Sequence, residues 1–331
     1  MNAFEYLRAE TPDGAIAAVA ADPAARFLAG GTTMVDLMKC DVEAPSALVD
    51  ISRLPGLDRI EAGPDGVRIG GAAKMTDVAE HPAVAEGFPA VREALLLAAS
   101  TQLRNMATIA GNLLQRTRCS YFRDPAAYPN CNKRRPGSGC AAIGGNNRGH
   151  AVLGASELCI ATYPGDLAVA LTALDATVRV RNGRETVFPI DDFFLPYGTS
   201  PHIEHPIGRD ELIVAVEVPA SAAARRSHYL KVRDRESYEF AAASAAVGLE
   251  LEADGRTVRD VRVALGGVAT KPWRCRNVEA ALRGRTFDEP TIRVAAALAV
   301  EGAVDRGHNG FKITLAPRVV ARALCQVGGI G

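Results

Sequence analysis

Four cysteines, Cys119, Cys131, Cys140 and Cys159, crowd one stretch of the chain, separated by eleven, eight and eighteen residues. Four thiolates match either a zinc or an iron–sulfur site. Structural zinc modules bring their ligands in pairs two to four residues apart, a spacing this chain lacks. Wide spacing suits a larger centre whose irons stand at separate corners, with the intervening Gly and Asn amides free to hydrogen-bond its sulfurs. Spacing therefore favours a [4Fe-4S] cluster and leaves zinc open, and two disulfides as well if the compartment is oxidising. Cys40, Cys275 and Cys325 are scattered and read as small buried hydrophobes.

Two further segments could hold an anion or a flat ligand. In Phe27-Leu28-Ala29-Gly30-Gly31-Thr32-Thr33-Met34-Val35-Asp36, a glycine pair follows a strand and opens a helix. Its amides could face a pyrophosphate, helped by the helix dipole and the hydroxyls of Thr32 and Thr33. It is neither GxGxxG nor a Walker loop, and the same residues make an ordinary glycine turn with a threonine cap. Gln102 to Leu113, including Thr108, Ile109, Gly111 and Asn112, mixes small and hydroxyl residues that a planar ligand could approach, or that form a plain loop with an Asn cap. Asp166, in Tyr163-Pro164-Gly165-Asp166, suits the N-cap of the helix that follows. The six histidines contain no HxxxH pair, GxSxG is absent, and Asp191-Asp192 sits at a turn, so hydrolytic chemistry has little support.

The elements that must carry these residues follow from periodicity. Ala15–Ala20 predicts a helix, Arg26–Leu28 a strand, Met34–Lys39 a helix, Ala47–Ile51 and Val67–Gly70 strands, and Met75–Ala79 the start of a helix leading to a longer one near Ala90–Ala99. Between Arg116 and Ser156 periodicity vanishes, and a bound centre could order so long a loop. Asp166–Leu174 predicts a helix, then strands Thr177–Arg181 and Thr186–Pro189 about Asn182-Gly183, and a strand Glu211–Val218. After Pro219–Ala224 come antiparallel strands His228–Val232, Ala245–Glu252 and Thr257–Leu265, then helices Val278–Leu282, Thr291–Val304 and Pro317–Val327. The outcome is α/β followed by α+β, divided at 1–55, 56–220 (with the cysteine loop at 116–160) and 221–331.

The charge balance narrows the partners. With 38 basic and 38 acidic side chains and 5% aromatics, the chain lacks the field of a nucleic-acid or anionic-membrane binder and the aromatic platforms for base stacking. No apolar run approaches the roughly 20 residues of a membrane span, and Met1–Gly14 is too polar for a signal peptide. The expectation is a cytoplasmic protein with reduced thiols.

The run Ile109-Ala110-Gly111-Asn112-Leu113 through Cys119-Ser120-Tyr121-Phe122-Arg123-Asp124, together with Phe27–Asp36, Tyr163–Asp166 and the Asp192-Phe193-Phe194 and Asp210-Glu211-Leu212 segments, resembles the FAD-binding medium subunits of molybdenum hydroxylases in the xanthine oxidase family. Within that family it looks most like the subunits of bacterial periplasmic-type aldehyde oxidoreductases. The resemblance implies two N-terminal subdomains of the PCMH type (vanillyl-alcohol-oxidase-like) holding FAD, and a C-terminal α+β domain of the carbon monoxide dehydrogenase flavoprotein type. It implies FAD contacts from Arg26, Phe27, Leu28, Ala29, Gly30, Gly31, Thr32, Thr33, Met34, Thr108, Ile109, Gly111, Asn112, Asp166 and Lys231. Ala29–Met34 would take the pyrophosphate, Ile109 would pack near the isoalloxazine, Asp166 would bind the adenosine ribose region, and Lys231 would approach the flavin.

The cysteine loop matches the subgroup with an additional [4Fe-4S] cluster, whose ligands would be Cys119, Cys131, Cys140 and Cys159. A related loop occurs in 4-hydroxybenzoyl-CoA reductase flavoproteins, but the Cys-Ser-Tyr-Phe-Arg-Asp context is closer to the aldehyde-oxidising group. The resemblance implies a large molybdenum subunit, a small [2Fe-2S] subunit and an external electron acceptor as partners, with possible co-export to the periplasm on a partner's signal. The rival readings are a self-contained flavin oxidase and a zinc-stabilised scaffold.

Overall fold

The computed structural model describes residues 1–330, which form three sheets, each drawn from a successive part of the chain. The first contains β1 (Glu5–Arg8), β2 (Arg26–Leu28) and β3 (Ala47–Asp50), all parallel, in the order β1-β3-β2. Ala-Leu-Val-Asp of β3 is buried along its whole length, as a central parallel strand should be. At the edge, β1 exposes all four of its residues, so it carries no hydrophobic alternation by which the sequence could announce it. The helix Pro12–Ala21 begins before the apolar pattern does, because Thr11 caps it by accepting from the Gly14 amide at 3.1 Å and Pro12 takes the first position.

Strands β4 (Ile60–Gly63), β5 (Gly66–Gly70), β6 (Thr177–Asn182), β7 (Arg184–Pro189) and β8 (Leu212–Pro219) build an antiparallel sheet in the order β4-β5-β8-β6-β7. The β6–β7 hairpin forms, but Asn182 pairs with Arg184 and Gly183 alone turns the chain, at φ +69°. Between β5 and β6 the helix expected from Met75 and the longer one expected near Ala90–Ala99 form as Met75–Glu80 and Pro89–Leu97, with a further short helix, Pro82–Gly87, between them. Each proline opens a new helix and ends the one before it.

β9 (Ser227–Val232), β10 (Ala243–Leu251), β11 (Val258–Gly266) and β12 (Trp273–Arg274) form the third sheet, antiparallel in the order β12-β11-β10-β9. The helix Glu289–Ala296 tightens into a 3₁₀ turn at Ala297–Val300. The last helix starts at Phe311, so Pro317 lies inside it instead of opening it. The helix persists at the loss of the bond that an amide at 317 would give the Ile313 carbonyl. Lys312, 1% exposed, anchors its first turn, with Nζ donating to the carbonyls of Gly149 at 3.1 Å and Gly267 at 2.5 Å. Burial lowers the pKa of Lys312 to about 8.

One helix joins the second and third sheets. All eight residues of Asp166–Ala173 are buried, and the helix packs against Pro89–Leu97, β10 and β11. A helix with apolar residues on every side and only Asp166 and Thr172 polar belongs in an interior. No described helix is long and apolar enough to cross a membrane.

Candidate cofactor sites

The glycine turn after β2 is shaped by close approach. A Cβ on Gly30 would stand 1.9 Å from the Met106 carbonyl oxygen, and Gly31 adopts φ +73°. Thr33 precedes the helix Met34–Lys39 yet makes no side-chain cap bond, so its hydroxyl remains available to a ligand. Phe27, Ala29, Gly30, Gly31, Thr32, Thr33 and Met34 line a cavity of about 160 Å³ together with Thr108 and Gly111. Thr32, Thr33 and Gly111 also border a larger cleft of about 520 Å³, whose wall includes Asn112 and Asp166.

The opposite side comes from the helix Ile109–Leu113, where Thr108 caps by accepting from the Gly111 amide at 3.2 Å. Lys74 pairs with Thr108 in an isolated bridge, and the Met75 amide donates to the Ala107 carbonyl, which ties this helix to Met75–Glu80. Inside the cleft, Asn112 gives Nδ2 to the Met75 sulfur at 3.4 Å, while its Oδ1 is buried without a partner. An orphaned acceptor beside two neighbouring cavities that share Thr32, Thr33 and Gly111, with a backbone-lined glycine turn, fits an elongated ligand with a phosphate centre and hydrogen-bonding rings, as FAD is.

Several residues expected at the cofactor do not line these two cavities. Ile109 is 1% exposed and sits in the core, outside the cleft wall. Arg26 turns back on the carbonyls of Pro23 and Ala25, and neither it nor Leu28 borders the two cavities. Asp166 does not cap its helix; Gly165 holds that position. The carboxylate is spoken for within the protein, accepting from Tyr229 Oη at 2.6 Å and Lys231 Nζ at 2.8 Å. Burial raises the Asp166 pKa and Lys231 opposes that rise. Lys231, 1% exposed at its side chain, also donates to the Leu97 carbonyl at 3.1 Å, so it meets the cleft only through Asp166.

Sequence reasoning missed Met75, Ala99, Gln115, Arg118, Tyr238 and Phe240, all on the cleft wall. Ala99 and Tyr238 hold positive φ, 49° and 52°, a conformation uncommon for residues other than glycine, and nothing local in the sequence marks it.

The loop after Gln115 is held by buried polar contacts more than by periodic elements. Arg118 and Arg123 both reach Asp36, the former at 2.9 Å, tying the loop to the helix behind the glycine turn. Lys133, buried, donates to the Pro201 carbonyl at 2.8 Å and pairs with Glu204, which Arg116 meets at 2.9 Å. Asn132 bridges the Leu158 carbonyl and the Gly139 amide.

These contacts gather four free thiols. Cys131 and Cys140 face each other in an antiparallel bridge. Cys119 packs against the cluster of Leu37, Phe122 and Cys131 and against that of Cys159, Ala161 and Tyr197. His150 Nε2 lies 3.1 Å from the Cys119 sulfur. Burial pushes Cys119 up to about 11 and Cys159 to about 12, so the protein alone keeps both protonated. Among the described residues no three His, Cys, Asp or Glu side chains come close enough to share one metal ion. The thiols are neighbours without being a mononuclear site.

The glycine turn with its adjoining cavities, followed by a β-sheet domain closed by a long helix, fits a flavin-binding subunit. Residues 2–221 match the FAD binding domain in molybdopterin dehydrogenase, and residues 228–327 the CO dehydrogenase flavoprotein C-terminal domain. The chain belongs to the FAD-binding medium subunits of xanthine oxidase family molybdenum hydroxylases. It is 45% identical over 330 residues, 98% of each chain, to the aldehyde oxidoreductase FAD-binding subunit PaoB of Escherichia coli K12. It is 29% identical to the carbon monoxide dehydrogenase medium chain of Hydrogenophaga pseudoflava, over 91% of this chain and 88% of that one. The solved carbon monoxide dehydrogenase from Hydrogenophaga pseudoflava that lacks the Mo-pyranopterin moiety aligns with a TM-score of 0.76 at 27% identity, covering 99% of this chain and 98% of that one.

Proposed function

We propose that this chain is the FAD- and [4Fe-4S]-containing electron-transfer subunit of an aldehyde-oxidising molybdenum hydroxylase. A large molybdenum subunit would oxidise the aldehyde, a small [2Fe-2S] subunit would relay the electrons, and the flavin here would hand them to an external acceptor. The observations that support the reading are the packing of Cys119 against both Cys131 and Cys159 and the backbone bridge between Cys131 and Cys140, four free cysteines on a loop whose Arg118 also lines the flavin cleft. The 45% identity to an aldehyde oxidoreductase FAD-binding subunit supports the substrate class.

Bound FAD supplies reversible two-electron chemistry, and the protein contributes binding, orientation and electrostatics. Thr32, Thr33 and the amides of the Gly30-Gly31 turn would hold the pyrophosphate. Asn112 Oδ1 would accept from the ligand and lose its orphaned state. Lys231 and Tyr229 hold Asp166 at the cleft wall in one fixed, charge-compensated arrangement. The four cysteines would bind the cluster as thiolates, each proton leaving as a ligand bond forms. Folding and cofactor insertion would take place in the cytoplasm, and a periplasmic complex would travel on a partner's signal.

Rapid mixing tests the electron path. Aldehyde added anaerobically to the assembled three-subunit enzyme is expected to bleach the flavin absorbance, while the isolated holo-chain with the same aldehyde stays oxidised. Bleaching of the isolated chain would instead make it a self-contained flavin oxidase.

A further inference from the structure

The cysteine loop is strongly basic in a chain that is neutral as a whole. Between Arg116 and Ile160 stand seven basic side chains against two acidic ones. Arg118 and Arg123 are engaged by Asp36, Arg134 by the Tyr121 carbonyl and Arg148 by Asp234. Lys133 differs from these in depth, its side chain being 1% exposed. An ammonium taken so far from water costs several kcal/mol unless charges and dipoles surround it. Its Nζ donates to the Pro201 carbonyl at 2.8 Å, pairs with Glu204 and stands 4.0 Å from the centre of the Tyr197 ring.

The pairing does not cancel. Glu204 also meets Arg116 at 2.9 Å, Arg116 meets Glu43 at 3.3 Å, and Glu43 meets Arg26 at 3.7 Å. Three cations thus share two carboxylates, and one positive charge is left over. Its deepest member lies among the cysteines. Asn132, between Cys131 and Lys133, binds the Leu158 carbonyl and the Gly139 amide, which brings the chain neighbours of Cys159 and Cys140 to the same point. Tyr197 packs with Cys159, and Cys119 rests against that pair. An iron centre held by four thiolates is anionic and gains a further negative charge on reduction, so a cation fixed beside it in a water-poor interior favours the reduced form.

We propose that Lys133 is the buried counter-charge of the four-cysteine centre and holds its reduction potential up, with Glu204 positioning the ammonium and tempering its field. The assignment rests on the reading of the four cysteines as [4Fe-4S] ligands given above. Lys133 is a positioning and tuning residue here, not a ligand.

A redox titration of the anaerobically purified assembled enzyme tests it without turnover. Dithionite, acting through mediators, supplies one electron to each four-iron centre, and low-temperature EPR of the reduced centre reports its potential. Lys133→Met is expected to lower that potential by about 59 mV, a tenfold change in the one-electron equilibrium. Methionine is close to lysine in length, and Glu204 keeps Arg116 as its partner in this variant. Glu204→Gln removes the opposing charge and is expected to shift the potential upward; it serves alone if the methionine variant fails to fold. A merely structural role would move neither potential, or both in one direction. An unchanged potential in a folded, iron-loaded variant, or shifts of one sign in both, overturns the proposal. Iron analysis of the isolated parent chain keeps the two failures apart, since a chain without iron defeats the cluster reading and this assignment with it.

Discussion

At residue 30 a single methyl group separates a working turn from a collision. Alanine there would place its Cβ 1.9 Å from the Met106 carbonyl, which is backbone and cannot swing away. Gly30→Ala is expected to lose most bound FAD and to cost about 2 to 3 kcal/mol of stability, measured by flavin content and denaturant unfolding. Asp166→Asn leaves Lys231 buried without its counter-charge, a loss on the order of 3 kcal/mol. Its unfolding free energy should fall by that order, whereas equal stability in the variant would mean that the pair contributes nothing. The glycine pair was legible in the sequence because turns of that kind need glycine. The partners of Asp166 were not, since Tyr229 and Lys231 arrive from a strand more than sixty residues away.

Among the elements, the buried helix Asp166–Ala173 packs against β10 and β11 and shares one core with residues of the second sheet. Its Val169 sits so close to β11 that a Cβ at Gly266 would stand 2.5 Å from Val169 Cγ2. Gly266→Ala should therefore lower the melting temperature of the whole chain by several degrees, in line with the 1 to 3 kcal/mol typical of an overpacked core. A second tie joins β9 to the helix Pro89–Leu97. His228 Nδ1 stands 2.9 Å from Glu93, and Nε2 is 3.1 Å from the Gln326 amide oxygen, a pair of acceptors that only the doubly protonated ring satisfies with two donors. The hydrogen bond to Glu93 raises the His228 pKa above 6.5. Its stabilisation is therefore fully present below about pH 6.5 and is lost as pH rises through the folded value. The term is about 0.5 to 1 kcal/mol after screening, because both groups are partly exposed. His228→Gln should flatten the stability curve across that window, and an unchanged pH slope would discount the tie. Periodicity located the strands of the third sheet. It could not locate β1, whose exposed residues alternate nothing, or the true start of the last helix, where Lys312 is buried against two carbonyls.

Across the whole molecule, chemistry is concentrated where the three parts of the chain converge. Asp36 from the first region takes Arg118 and Arg123 of the cysteine loop, the same loop reaches Glu204 through Lys133, and Asn147 binds the Arg306 carbonyl at 2.6 Å and the His308 amide at 2.9 Å. That loop had no readable periodicity because its order comes from long-range polar contacts, which leave no local pattern. The clustering of its cysteines was readable all the same, since ligand type and number survive without secondary structure. The balanced charge, 38 basic against 38 acidic side chains, accords with protein subunits as the main partners. The central claim is that one chain carries both flavin and a four-iron centre, and it is tested most directly by iron, zinc and flavin analysis of anaerobically purified protein. About four irons per FAD, falling to near zero in Cys119→Ser with flavin retained, is the expected result. One zinc and no iron, or iron content unchanged in Cys119→Ser, would contradict it.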